Sequence, residues 1–314
     1  MAKSIRDKIF GALFGYAIGD ALGLGTEFMS RKEVNRFYPN GLTDYSQIIR
    51  DAHRAQWKRG ECSTDTIIVL EQLKSLIENK GINYSDIASR YHRLYQQHNV
   101  DLTTNLRWVL SQPGYPGDPF GTTQKVWDSM KKFDASNECL GRAFFVGIWD
   151  EDLPQTAVTY CRLTHPHPRC EAASAIIAKM AASLMWEDEE ASFDSLIDMA
   201  RSMNADLIRY IDIARHGTLE DLHLDDPDTF WFVRRLMACA LWAIWHCDSP
   251  TDALHKIIMQ GGDADTNAAL AQGMLGLKYG YEALDPRLIE GLLDKEMIET
   301  VANDLTHLLE ERKK

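Results

Sequence analysis

The chain has 314 residues with 34 basic and 46 acidic side chains, a net charge of −12. That length carries a substantial hydrophobic core without staples, and the acidic balance disfavours nucleic acid and anionic membrane surfaces unless a basic patch overrides it. No Lys/Arg cluster of that kind occurs. The six cysteines are scattered without a C-x-x-C pair and read as reduced core thiols of a cytoplasmic protein.

Apolar residues recur at helical spacing along most of the chain, whereas period-2 runs rich in Val, Ile and Thr are nearly absent. The first predicted helix covers Ile5 to Leu22. Lys3, Arg6 and Lys8 before its apolar stretch resemble an export signal, but Asp7 and Asp20 interrupt that pattern. The apolar run is also too short to span a membrane. Gly11, Gly15, Gly19 and Gly23 recur every fourth residue and so share one helix face. Four glycines on one face cost helix propensity, which predicts another backbone packed close against them.

Lys32 to Arg59 reads as a long ordered loop. Helices are then predicted over Asp65 to Asn79, Tyr84 to Gln96 and Thr103 to Leu110, before a second loop, Ser111 to Gly121, stiffened by three prolines. The pattern continues with Thr122 to Lys132, Leu140 to Trp149, Leu153 to Thr164, Arg169 to Trp186, Ser192 to Asn204 and Asp206 to Ala214. Thr229 to Cys247, Ser249 to Gln260, Asp265 to Tyr279, Pro286 to Leu293 and Met297 to Arg312 complete it. No linker or low-complexity segment divides the chain, so one all-α domain over residues 1–314, a compact orthogonal helical bundle, is expected. The eight tryptophans, among them Trp231, Trp242 and Trp245, fall at core spacing, while Trp57 and Phe120, in the two loops, could line a pocket for a flat ring. Glu187 to Glu190 reads as a solvated helix end, and Asp225 to Asp228 as a cap for the helix starting near Thr229.

Two segments exceed what capping needs. GECSTDTIIVL, from Gly60 to Leu70, sets Ser63, Thr64, Asp65 and Thr66 at a helix start, and GGDADTNAALAQGMLG, from Gly261 to Gly276, sets Asp263, Asp265 and Thr266 at another. A single N-cap satisfies a first turn, and each acid there adds about 0.3–1 kcal/mol through the helix dipole. Together the two sets supply carboxylate and hydroxyl oxygens with no thiol or imidazole nearby in sequence, a composition suited to Mg²⁺, Mn²⁺ or Ca²⁺ rather than zinc. Two acid clusters facing each other repel unless a cation lies between them. No phosphate-binding G-x-x-x-x-G-K-[ST], H-E-x-x-H or G-x-S-x-G motif is present.

These two segments, together with GALFGYAIGDALGLGTEF from Gly11, SNECLGR from Ser136 and LTH from Leu163, resemble the ADP-ribosylglycohydrolase family in order and separation over nearly the whole chain. The resemblance implies a dinuclear Mg²⁺ or Mn²⁺ centre that cleaves ADP-ribose from an acceptor, commonly arginine on an ADP-ribosylated protein. Ser63, Asp65, Asp263, Asp265 and Thr266 match metal-ligand positions, and Thr64 stands where the family has another aspartate. The three remaining acids suffice for one cation, while Thr64 weakens a second position. Glu27, with Asp65 and Asp263, is the expected catalytic set, Glu27 handling a proton or orienting water. Asp20, Asn137, Arg142 and His165 match motifs that form or support the ADP-ribose pocket, with Glu138 where the family often has glycine. His165, in THPHP with no cysteine at ligand spacing, suits hydrogen bonding better than zinc. The helix start near Asn137 to Leu140 is the expected seat for the diphosphate. The competing expectations are a weakened relative that only binds ADP-ribose or shields a partner, and a hydrolase of a non-protein ADP-ribose conjugate. Neither nucleic acid nor membrane is expected as a partner, and the chain is expected to act as a monomer.

Overall fold

The computed structural model describes residues 3–97, 102–130, 135–149 and 155–312. Among them the chain is all-α, with no strand and one isolated bridge between Ser136 and Phe232. The helices are α1 (Ile5–Gly23), α2 (Arg31–Phe37), α3 (Thr64–Asn79), α4 (Tyr84–Gln96), α5 (Thr104–Leu110), α6 (Pro119–Ser129), α7 (Cys139–Trp149) and α8 (Gln155–Arg162). They continue as α9 (Pro168–Ala182), α10 (Phe193–Met203), α11 (Ile208–His216), α12 (Val233–His246), α13 (Pro250–Ile258), α14 (Ala264–Tyr279), α15 (Pro286–Gly291) and α16 (Lys295–Arg312). None is long and apolar enough to cross a membrane. All six cysteines are free and buried.

α1 and α14 organise the molecule, and both are buried on nearly every face, as helices at the centre of a core are. The predicted glycine face lies against α14. A Cβ added at Gly11 would sit 2.1 Å from the Gly276 carbonyl oxygen, at Gly15 2.4 Å from that of Gln272, and at Gly19 2.3 Å from that of Ala268. At Gly23 it would sit 2.4 Å from the Asp265 Cα. Each step of four along α1 moves about four backwards along α14, so the helices run antiparallel in contact for about four turns. The end of α1 is thereby delivered to the start of α14. Gly19→Ala is expected to cost about 3 kcal/mol, the upper part of the overpacking range, because the obstructing atom is backbone. Chemical denaturation would measure it, and an unchanged midpoint would show that the pair can separate freely.

The sequence expectations fail mainly at element ends. The loop expected over Lys32 to Arg59 holds 3-10 turns at Tyr45–Gln47 and Arg54–Gln56, and most of α2, which begins just before it. Ser30 and Glu33 form a capping box that starts α2. α6 begins at Pro119, inside the second expected loop, because Asp118 accepts a bond from the Gly121 N–H and proline suits the first helical position. The helix expected from Thr229 starts only at Val233, since the Val233 N–H is drawn 3.0 Å to the Ala135 carbonyl and Phe232 bridges Ser136. Asp225 to Asp228 therefore do not cap it; Asp226 instead pairs with Arg235 at 2.9 Å. The expected end at Lys132 and start at Leu153 lie outside the described residues.

Candidate active site

Below Gly23 the chain turns, and Glu27 is held by contacts on both sides of it. The buried Arg54 guanidinium donates to the carbonyls of Gly25 and Glu27. Phe28 N–H donates to Gly262 O at 2.7 Å, and Gly262 N–H returns a bond to Met29 O at 2.8 Å. This reciprocal pair fixes Glu27 beside the residues that open α14. Phe28 adopts φ +59°, a left-handed conformation unusual for a large side chain, and keeps its ring 56% exposed.

The consequence is a convergence of acids. One carboxylate oxygen from each of Glu27, Asp263 and Asp265 lies within 4.8 Å of the others, and all three residues are buried. Asp65, at the start of α3, lines the same cleft as this trio. At that spacing two unit charges repel by about 3 kcal/mol at an effective dielectric near 20. Burial, and then the Glu27 charge, push Asp263 up to about 7, against hydrogen bonds from Asn137 and Thr266 that hold it down. Burial raises Asp265 well above the usual carboxylate range, with the charges of Glu27, Asp263 and Asp65 adding to it. Asp65 is raised likewise by burial and then by Asp20 and Asp263.

Unmet hydrogen-bonding capacity lies on residues of the same cleft. Asp65 Oδ2, Asp265 Oδ1 and Thr64 Oγ1 are buried without a hydrogen-bond partner, on residues that line the cleft. Buried oxygens normally have partners, so this set, hard and all-oxygen, fits a hard divalent cation. Glu27 belongs geometrically to the acid group, whereas the sequence reading gave it proton handling or water orientation and no place among the metal-ligand positions.

The cleft has a volume of 640 Å³. It is lined by the acid and hydroxyl residues Ser63, Thr64, Asp65, Asp263, Asp265 and Thr266, by Glu27 and His53, by residues 103–105 and 135–138, and by an aromatic group of Phe28, Phe230, Trp231 and Phe232. Of the four residues expected to bind substrate, Asn137 lines the cleft and donates to Asp263 Oδ2. The other three stand behind the walls. Asp20 is fully buried and gathers the start of α3, accepting from the Ser63 N–H at 3.1 Å, the Thr66 N–H at 3.1 Å and the Thr66 hydroxyl at 2.5 Å. Burial raises Asp20 to about 6, a shift those donors oppose. Arg142 donates to Thr164 Oγ1 at 2.7 Å, with its guanidinium 5.6 Å from the Tyr91 ring centroid. His165 holds Glu138, Nε2 to Oε2 2.6 Å, and touches Ser136, Asn105 and Thr164. Burial alone would raise Glu138 and lower His165, but their mutual charge and hydrogen bond win, with the Thr103 and Ser136 hydroxyls also holding Glu138 down, leaving Glu138 at about 2 and His165 raised.

Sequence reading missed His53, whose Nε2 lies 2.7 Å from Glu27 Oε2 and whose ring lies 5.0 Å from Phe28. It sits in an irregular segment with no pattern to single it out. Trp57 and Phe120 do not line the cleft: Trp57 packs on His53 and Phe120 on Tyr84. Trp231, expected in the core, is 39% exposed on the cleft wall, because the turn before α12 carries it out.

The model of the family described as ADP-ribosylglycohydrolase matches residues 1–314. The chain belongs to the ADP-ribosylglycohydrolase family. Membership makes hydrolysis of ADP-ribose conjugates the supported chemistry, in a family that generally depends on metal. ADP-ribosyl-[dinitrogen reductase] glycohydrolase of Rhodospirillum rubrum is 25% identical over 287 residues, covering 89% of this chain and 88% of that protein. ADP-ribosylarginine hydrolase Tri1 of Pseudomonas putida (strain GB-1) is 23% identical over 311 residues, 95% of this chain and 78% of that one. A solved ADP-ribosylglycohydrolase-related protein complex shares the fold of this chain, with TM-score 0.76 and 23% identity over 98% of this chain and 99% of that one.

Proposed function

We propose that the protein cleaves, with Mg²⁺ or Mn²⁺, the bond between the anomeric carbon of ADP-ribose and an acceptor nitrogen, with arginine on an ADP-ribosylated protein as the foremost substrate. The observation that carries this reading is the meeting of Glu27, Asp263 and Asp265 within 4.8 Å in the lining of one cleft. The relatives whose names specify ADP-ribosylarginine support the acceptor.

Cleavage at the anomeric carbon develops positive charge on the ribose, which a group of carboxylates stabilises. Asp65, Asp263, Asp265 and Thr266, with Ser63 and Thr64 beside them, would hold the cation. When bound, it supplies Lewis-acid polarisation and orients the ribose hydroxyls. Glu27, aimed by His53, takes a proton from the attacking water and can return it to the departing nitrogen. Asn137 fixes the Asp263 carboxylate, and Asp20 holds the backbone that presents Ser63 to Asp65. Metal-dependent release of ADP-ribose from ADP-ribosyl-arginine tests the reading, and its absence under saturating Mg²⁺ and Mn²⁺ would refute it.

Thr64 sets how strongly a second cation binds. Thr64→Asp is expected to add a second bound cation and to raise the rate about tenfold, worth ~1.4 kcal/mol in the barrier. Equilibrium dialysis and steady-state kinetics read the two effects. A variant that binds two cations and remains inert would favour the weakened, ADP-ribose-binding relative instead.

A further inference from the structure

Phe28 carries two costs that its packing does not offset. Its backbone holds φ +59°, a left-handed conformation that a bulky side chain keeps only where surrounding contacts impose it. Here the Phe28 N–H bond to Gly262 O and the Gly262 N–H bond to Met29 O pin the turn on both sides. The ring so presented lies in the cleft lining with more than half of its surface exposed. His53 and Phe230 meet it at 5.0 and 5.7 Å between centroids, each tilted by 41°, so neither stacks flat on it. Trp231, edge-on to Phe230 at 4.8 Å, extends the aromatic surface along the same cleft. Strain that exposes a large apolar ring in a cleft points to binding rather than to a need of the fold.

Position narrows what the ring meets. Phe28 follows Glu27 directly, about 3.8 Å away between Cα atoms, and Glu27 serves the anomeric carbon in the proposed reaction. The acceptor nitrogen is bonded to that carbon, whereas the adenine is separated from it by a diphosphate and another ribose. A guanidinium on that nitrogen is a planar cation, which an aromatic face attracts within about 6 Å of its centroid. The chain makes the same contact internally: the guanidinium of Arg234 stands 5.1 Å from the Phe232 centroid, and that of Arg312 stands 4.0 Å from the Trp149 centroid. The adjacent Glu27 carboxylate adds attraction for a cation.

We propose that Phe28, flanked by His53 and Phe230, is the platform on which the guanidinium of the departing acceptor stacks, and so a determinant of acceptor specificity. This inference rests on the proposed cleavage at the anomeric carbon.

The test measures cleavage of ADP-ribosyl-arginine in Mg²⁺ and titrates ADP-ribose, which lacks the acceptor, calorimetrically into the wild type and two variants. Phe28→Leu keeps an apolar side chain without the ring, and Phe28→Asn removes the ring with a residue that suits the left-handed backbone. Each variant is expected to lower kcat/KM about tenfold, ~1.4 kcal/mol, while its affinity for ADP-ribose stays within about twofold of the wild type. An unchanged kcat/KM in a variant folded by its melting profile would overturn the proposal. An equal loss of ADP-ribose affinity would also overturn it, since the ring would then carry the adenine or a ribose. If the wild type cleaves nothing, the proposed hydrolysis fails, and calorimetry with the intact conjugate still decides the platform. The wild type should then bind ADP-ribosyl-arginine more tightly than ADP-ribose, and the variants should lose that difference; a difference that survives in them refutes the platform.

Discussion

Asp265→Asn is expected to lower the rate of ADP-ribose release by about 10²–10³-fold, the scale of losing one preorganised electrostatic group, while making the cation-free protein more stable. The two effects share one cause. Asp265 is buried, its Oδ1 has no hydrogen-bond partner, and burial and then the charges of Glu27, Asp263 and Asp65 oppose its ionisation. Asparagine keeps the shape and removes the charge, so the repulsion inside the fold falls. A gain of about 1 kcal/mol corresponds to roughly 1–2 °C in Tm for a chain of this size. Thermal melts in chelator measure it, beside single-turnover rates in Mg²⁺. A lower melting temperature for the variant in chelator would show that the chain itself satisfies the Asp265 carboxylate.

The second large effect is the dependence of stability on pH and on the cation. Asp263 and Asp20 stand at about 7 and about 6, above the ordinary carboxylate value, and Asp65 and Asp265 are also raised. A group raised in the folded state binds more protons there than when unfolded, so stability falls as pH climbs from the ordinary carboxylate value through the folded one. Without cation, the melting temperature is expected to be highest near pH 5 and to drop by about 5 °C or more by pH 8. A bound cation takes the place of those protons, so saturating Mg²⁺ or Mn²⁺ should raise the melting temperature more at pH 8 than at pH 5. An equal shift at both pH values, or a cation-free protein that grows more stable through this window, would contradict the assignment of these carboxylates to a cation site.

Much of this was legible in the sequence. Helical periodicity identified nearly every helix, because apolar spacing is a local property of the chain. The glycines of α1 announced a close backbone neighbour, since no other common reason keeps four of them on one helix face. Ser63 to Asp65 and Asp263 to Thr266 stood out because they exceed what capping requires. None of these signals says which partner each element meets.

The rest was decided by packing between distant segments. Only the antiparallel register of α1 against α14 turns Glu27, an acid after a helix end that composition and spacing alone do not single out, into a neighbour of Asp263 and Asp265. His53 and the Phe230 to Phe232 turn reach the cleft through irregular backbone held by distant contacts, Arg54 to Gly25 and Val233 to Ala135, and carry no periodic pattern. Asp20 and His165 are placed behind the walls by bonds to residues tens of positions away. The sequence alone therefore specified the helices and the oxygen-rich ends of two of them, because spacing and composition act locally. Tertiary structure chose which oxygens share a site, because helix registry acts between segments that the order of residues keeps apart.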